Sequence, residues 1–359
     1  MAELQPRVLQ RLASSRGPDS LRSLAEAISS ATGSELTDDD FAREYSEAVA
    51  CGSAVTALAG PLFRNQRVQD WVLNHANPLW QGILEESFAL SHGHDVQLKS
   101  IEAAGLDPIL AFYELFLQRH DQRRRTRHGV FYTPPPIARY ILAQVHRLLI
   151  ERFGLGDGLA DVVTWDEMAR RVPSLLLPAA VRPEDPFIQV LDPALGAGVF
   201  LTEVLRLVHV HLAAKWSASG ASGSQVSDRW DQYVARHLLP RLYGLELMLP
   251  ACVVATLKLV TALAETGFSF TRPSRLEISL ANTLAGPPER QRSLFAEREN
   301  TFLPAAAAGR DSACRSPFTV IVGNPPFSGI SQQQSRWILD LLRGIEGGRG
   351  GWGNYFEVD

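Results

Sequence analysis

The chain alternates between two hydrophobic periods. Along its first third, apolar residues recur at helical spacing, as in Phe41, Tyr45 and Val49 and again in Phe112, Leu115 and Phe116. That period predicts a helical N-terminal domain over residues 1–127, without catalytic signature. Further on come short, unbroken apolar runs, Phe187–Asp192, Leu242–Glu246 and Val320–Val322, each ending at an acid or a turn. Such runs predict buried parallel strands. Helical patterns stand between them. Val199, Phe200, Val204, Leu205, Val208 and Leu212 follow the first run, and a helix-like run with Pro250 near its start follows the second. Upstream, Ile141, Leu142, Val145, Leu148 and Leu149 share one helical face, with Thr133 as the cap and Pro134 to Pro136 in the first turn. This alternation predicts an α/β domain over residues 128–359. Gly154–Gly158, Ser217–Ser227 and Leu284–Pro317 are predicted as surface loops from their turn-forming composition.

The ends of the predicted strands carry the chemistry. Val320–Val322 runs through Gly323 into Asn324, Pro325, Pro326 and Phe327. Two prolines stiffen that turn and keep it from becoming helix. An amide, a free carbonyl and an aromatic face then meet one small volume. The set suits a planar molecule with an exocyclic amine, whose two hydrogens Asn324 and Pro325 accept while Phe327 stacks on the ring. Asp192 ends the first strand, and Pro193, Ala194, Gly196, Ala197 and Gly198 form a small-residue turn into the next helix. Gly196 and Gly198 allow a ligand to approach the backbone at a helix N-terminus. Glu246 ends the second strand, where nucleotide-type ligands have their ribose hydroxyls held. The turn after the first strand reads Gly196-Ala197-Gly198-Val199-Phe200-Leu201 rather than G-x-G-x-x-G, which argues against a dinucleotide there.

Taken in order, these segments resemble the N6-adenine DNA methyltransferases with motif order X, I, II, III, IV, as found in large single-chain restriction-modification enzymes. Gly129 to Pro136 resembles motif X, Asp192 to Gly198 motif I, Gly244-Leu245-Glu246 motif II, Leu276 to Leu284 motif III and Asn324 to Phe327 motif IV. Asp107 to Leu117 is similar to the lead-in before motif X, and Phe41 to Leu58 more weakly to the helical region preceding it. Leu195 stands where the family commonly has Cys, Ala197 where it has Ser, and Asn282 where Asp is frequent. Gly353 to Glu357 resembles the start of motif V, so the resemblance implies a Rossmann-like sheet incomplete at its C-terminus and a chain continuing into a recognition domain. It implies S-adenosylmethionine as cofactor, with Asp192 near its amino group, Gly196 and Gly198 under its methionine part, Glu246 on its ribose, Asn282 at its adenine edge, and Pro193 and Ala194 among its further contacts. Tyr132, Thr133 and Pro134 would close over it. Asn324, Pro325, Pro326 and Phe327 would hold a flipped adenine in double-stranded DNA. Restriction or defence-system subunits are the further partners implied. Asn-Pro-Pro-aromatic also occurs in methyltransferases of protein glutamine, and an inactive fragment is the remaining alternative.

Composition narrows the field. A hydrophobic content of 45% over 359 residues supports a large core and about two domains. Cys51, Cys252 and Cys314 are too scattered for a disulfide framework or a zinc site. Met1 to Leu12 lacks the apolar core of a signal peptide, and no stretch approaches the ~20 apolar residues of a membrane helix. A cytoplasmic protein is expected. The net charge of -4 means that any DNA-binding surface is local. Arg119 to Arg127, with five arginines directly before motif X, is the candidate strip for phosphate contacts.

Overall fold

Polar caps set where the helices begin. Ser20, Thr37, Asn65, Thr164 and Ser222 each accept a hydrogen bond from a backbone N–H one turn inside the helix that follows. At Thr37, Thr164 and Ser222 the side chain at the third helical position bonds back to the cap, closing a capping box. The structure, a computed structural model, describes residues 3–14, 20–91, 107–120, 133–175, 177–178, 181–283 and 318–325.

Within them, seven helices come first: α1 (Leu4–Ser14), α2 (Leu21–Thr32), α3 (Asp38–Leu58), α4 (Pro61–Arg64), α5 (Gln66–His75), α6 (Gln81–Ser91) and α7 (Pro108–His120). Then α8 (Pro135–Phe153) and α9 (Trp165–Arg171) lead to β1 (Val190–Asp192) and α10 (Val199–Ala218). The chain goes on through α11 (Gly223–Tyr233), β2 (Leu242–Glu246), α12 (Leu249–Glu265), β3 (Glu277–Leu280) and β4 (Val320–Ile321). The result is a mixed, mostly helical α/β fold around a parallel sheet of order β3-β2-β1-β4.

Helix α12 is the hub between the helices and the sheet. It is apolar almost all round and its residues Leu249 to Val260 are buried, as expected for a helix covered on every side. One side packs on β2 and β3, the other on α3. At that contact Gly52 leaves no room for a side chain, since a Cβ there would overlap Ser87 and approach Val253 Cγ1 to 3.1 Å. Lys258, on the same helix and 3% exposed, pairs with Asp107. Asp107 also caps α7, accepting from Ile109 N and Leu110 N at 3.1 Å.

The outer edge of β3 is closed by the N-terminal helices. Leu276 N donates to His75 O at 3.1 Å, and Asn77 Nδ2 donates to Ile278 O at 3.0 Å. Trp71 Nε1 reaches Arg272 O at 2.8 Å. A free strand edge invites pairing with other chains, and here the residues just after α5 cover it.

Several sequence expectations need correction. Regular strand begins only at Val190, not Phe187. Ser217–Ser227 is not a loop: α10 runs to Ala218 and Ser222 caps α11, because Ser serves equally as helix cap and loop former. Gly154–Gly158 is a packed connection, with Gly154 ending α8 in the left-handed region and Leu155 and Gly158 buried. Pro134, not Thr133, is the N-cap of α8, and no side chain caps it. Leu115 and Leu148 are exposed, on the outer sides of their helices. Leu284–Pro317 lies outside the described residues.

Replacing Lys258 leaves the Asp107 carboxylate partly buried without its cation. Breaking one side of a buried pair costs about 3–5 kcal/mol. Lys258→Ala is expected at the lower end of that range, because water reaches Asp107. The measurement is the shift in urea midpoint at unchanged m-value.

Candidate ligand site at the strand ends

Parallel register brings the predicted site residues to one edge of the sheet. Asp192 lies level with Gly244, and Leu191 with Ile321. Glu246 lies level with Leu280. Glu246 and Asn324 therefore stand at similar heights on the two strands flanking β1, about 10 Å apart by strand spacing. The chain order reverses between β1 and β4, and open α/β sheets bind ligands at such a switch point, outside the strand C-termini.

The turn after β1 is held by its own neighbours. Asp192 Oδ1 accepts from Ala194 N at 3.1 Å, and Leu195 N donates to Leu245 O at 2.9 Å. Gly196 N donates to Glu246 Oε2 at 2.7 Å. The other oxygen, Glu246 Oε1, accepts from Leu247 N and Met248 N at 2.8 and 2.9 Å. Gly196 and Gly198 both take positive φ, at 54° and 78°. Gly198 is the N-cap of α10, and a Cβ there would lie 3.2 Å from Ala255 Cβ on α12. Its bareness thus has a packing reason of its own. Leu195, larger than the common Cys, is buried above Gly244, where any Cβ would meet its methyl groups at 2.7 and 2.8 Å. The missing side chain at 244 accommodates the extra volume at 195.

Asp192 is the electrostatic anomaly. It is 1% exposed, and its Oδ2 has no hydrogen-bond partner among the described residues. Burial, with Glu246 nearby, pushes its carboxyl up from the ordinary 3.8 to about 7. Burial also raises Glu246. The site thus holds two acids, one with an unused oxygen.

Strand β4 is seated on the same carboxylate. Val320 N and Val322 N donate to Gln189 O and Leu191 O at 3.0 and 2.9 Å. Gly323 then passes so close that a Cβ would lie 2.6 Å from Asp192 Oδ1 and 3.2 Å from Pro193 Cδ. Only glycine brings the following Asn324 and Pro325, both exposed, this near to β1. Pro193 and Ala194 are half-buried at the turn, and Thr133 and Pro134 precede α8. Asn282 follows β3, next to Ala281, whose N donates to Glu246 O at 2.7 Å. Tyr132, Pro326, Phe327, the motif V segment and residues 121–127 of the basic strip lie outside the described residues. Gly244 and Gly323 were missed as site-shaping positions, because the residues that crowd them, Leu195 and Asp192, are distant in the sequence. Among the described residues no group of His, Cys, Asp and Glu is placed to hold a metal ion. No helix among them is long and apolar enough to cross a membrane.

No protein-family model matches this chain, and no curated protein matches its sequence. Solved structures do. A complex of DrdV with DNA superposes with TM-score 0.50 at 20% identity, covering 92% of this chain and 29% of that one. A nuclease-deletion mutant of the Type ISP restriction-modification enzyme LlaGI, in complex with a DNA substrate mimic, gives TM-score 0.50 at 18% identity over 91% of this chain and 24% of that one. The ATP-dependent Type ISP restriction-modification enzyme LlaBIII bound to DNA gives 0.54 at 17% identity, over 96% and 21%. The fold is therefore similar to part of these enzymes. The chain spans between a fifth and a third of the length of each.

The raised Asp192 value has a consequence for stability. A folded-state value above the unfolded one favours folding at low pH, and that contribution is lost as pH rises through about 7. Asp192→Asn removes the burden of a buried charge, so its stability should exceed wild type above pH 7 and converge with it in acid. The gap is bounded by the roughly three-unit shift, about 4 kcal/mol. Chemical denaturation across that pH range measures it, and parallel profiles would contradict the assignment.

Proposed function

We propose that this chain is the methyltransferase part of a restriction-modification enzyme, transferring a methyl group from S-adenosylmethionine to the N6 amine of an adenine in DNA. The observation that carries the reading is the close seat of Gly323 on Asp192. It sets an amide and a proline carbonyl beside the glycine turn at the switch point of a parallel sheet, the arrangement expected of a Rossmann-like methyltransferase. The likeness to restriction-modification enzymes bound to DNA supports the same class and favours DNA as the partner.

The residues fit the cofactor. Three amides of the turn, at Ala194, Leu195 and Gly196, already donate within the protein. A turn with its amides satisfied is a poor phosphate cradle. What it offers is carboxylate: the unused Asp192 Oδ2 for an ammonium and the remaining lone pair of Glu246 for a ribose hydroxyl. Such a site favours a cationic, hydroxyl-bearing ligand over a phosphate. When bound, S-adenosylmethionine supplies an electrophilic methyl group.

The chain's own residues do the rest. The N6 amine of adenine is a weak nucleophile because its lone pair is delocalised into the ring. Asn324 Oδ1 and the Pro325 carbonyl accept its two hydrogens, which favours a tetrahedral nitrogen and frees the lone pair. Proximity and alignment then provide most of the rate effect, with no strong base needed. The adenine must leave the helix stack at a cost of a few kcal/mol. Phe327, through the resemblance, is the ring that offsets part of this, about 1–3 kcal/mol.

Two substitutions test the roles separately in the complete protein. Asn324→Ala should lower adenine methylation by at least about a hundredfold while leaving cofactor affinity unchanged. Glu246→Ala should weaken cofactor binding by about 1–3 kcal/mol, losing both a ligand contact and the tether on Gly196. Methylation assays on unmodified DNA and calorimetry with S-adenosylmethionine read the two. Transfer to a glutamine-containing protein instead of DNA would overturn the substrate assignment.

A further inference from the structure

At the far end of the sheet, below the N-terminus of β2, lies a second hollow of about 290 Å³. Trp216, Arg229, Gln232, Tyr233, Arg236 and His237 line it, and none of them is acidic. Trp216 is 17 positions along α10 from Val199, where the glycine turn ends, so the hollow is roughly 25 Å from the site above.

Its two exposed arginines are not tied up. Neither Arg229 nor Arg236 makes an ion pair among the described residues, whereas Arg11, Arg22, Arg43, Arg139, Arg170 and Arg206 all do. A third guanidinium stands behind the wall. Arg241 is 2% exposed and spends its donors on Asp161 O, on Leu159 O at 3.0 Å and on the phenol oxygen of Tyr233. Carbonyls and a phenol take its hydrogens, and the Asp161 carboxylate offsets part of its charge. His237 registers this: burial first, then Arg241 and Arg236, hold its imidazole below the ordinary range. The acids on the same helix do not answer it. Asp231 accepts from Ser269 N at 2.9 Å, and Asp228 is exposed.

Local geometry gathers the cluster. The chain makes a π-helical turn over Val234–Leu238, where Leu239 N bonds to Val234 O. Arg236 and His237 stand on this turn, two turns after Arg229, and all three line the same hollow. Such turns concentrate at functional sites. Trp216 and Tyr233 meet edge to face, with ring centroids 6.4 Å apart, and give the hollow an aromatic side.

We propose that this hollow is a second ligand site, which binds the phosphate of a mononucleotide between Arg229, Arg236 and His237 with its base against Trp216. Planar guanidinium forks match phosphate oxygens in pairs. The volume suits one phosphate and part of a ring, and the placement, remote from Asn324, separates it from DNA held at the strand C-termini.

Calorimetry on the complete protein with inorganic phosphate, AMP and a duplex oligonucleotide tests it, alongside nuclear magnetic resonance titration of His237. We expect AMP to bind more tightly than phosphate and both to raise the His237 pKa. The exposed double substitution Arg229→Gln and Arg236→Gln should weaken both by at least about tenfold, and Trp216→Leu should weaken AMP alone. AMP that binds wild type and the double variant equally is seated elsewhere and overturns the proposal. So does an unshifted His237, and so does binding of the duplex alone, which would make the cluster a DNA-backbone contact.

Discussion

The Glu246 carboxylate fixes the geometry on which the site depends. It takes backbone N–H groups from both sides of a gap, from Gly196 on the turn after β1 and from Leu247 and Met248 at the exit of β2. These bonds hold the turn against the strand end. The turn's position decides where Pro193 and Asp192 sit, and those two decide how near β4 can pass. One side chain thus ties the turn after β1 to the end of β2, at the edge where the candidate site residues gather. The cost is a second acid, Asp192, buried next to it with an oxygen unused.

The site was legible in the sequence to the extent that it ends apolar runs. Asp192, Glu246 and Asn324 stand where short hydrophobic strands stop, and parallel pairing then aligns them. What joins them was less legible. Gly244 and Gly323 owe their identity to neighbours distant in the chain, Leu195 and Asp192, and no local period announces a close approach. The closing of the β3 edge by His75 and Asn77 was invisible for the same reason: a backbone carbonyl and one amide side chain carry it across about 200 positions of the chain. Ser217–Ser227 was misread because residues that cap a helix are those that make loops.

The helices of the N-terminal third are not an appendage of the sheet. Through α12 they share its core, and through Asn77 they supply its last hydrogen bonds on one side. Local patterning separates them from the α/β part because their helices are amphipathic on their own account. Burial does not, since the largest fully buried side chains, Trp80, Tyr113 and Phe41 among them, belong to this third while Trp230 and Arg241 belong to the other.

The pairing of β4 has a kinetic meaning. Strands β1, β2 and β3 follow one another after two helices and one helix, but Gln189 meets Thr319 across 130 residues. Contacts between distant segments must meet a larger loop-closure entropy and form late. During synthesis from the N-terminus the acids and the glycine turn are complete while β4 is still unmade. The turn after β1 and the end of β2 therefore mature first, and Asn324 comes with the last of the described strands to dock. A chain interrupted between the two would carry both acids and the glycine turn with no strand seated on Asp192.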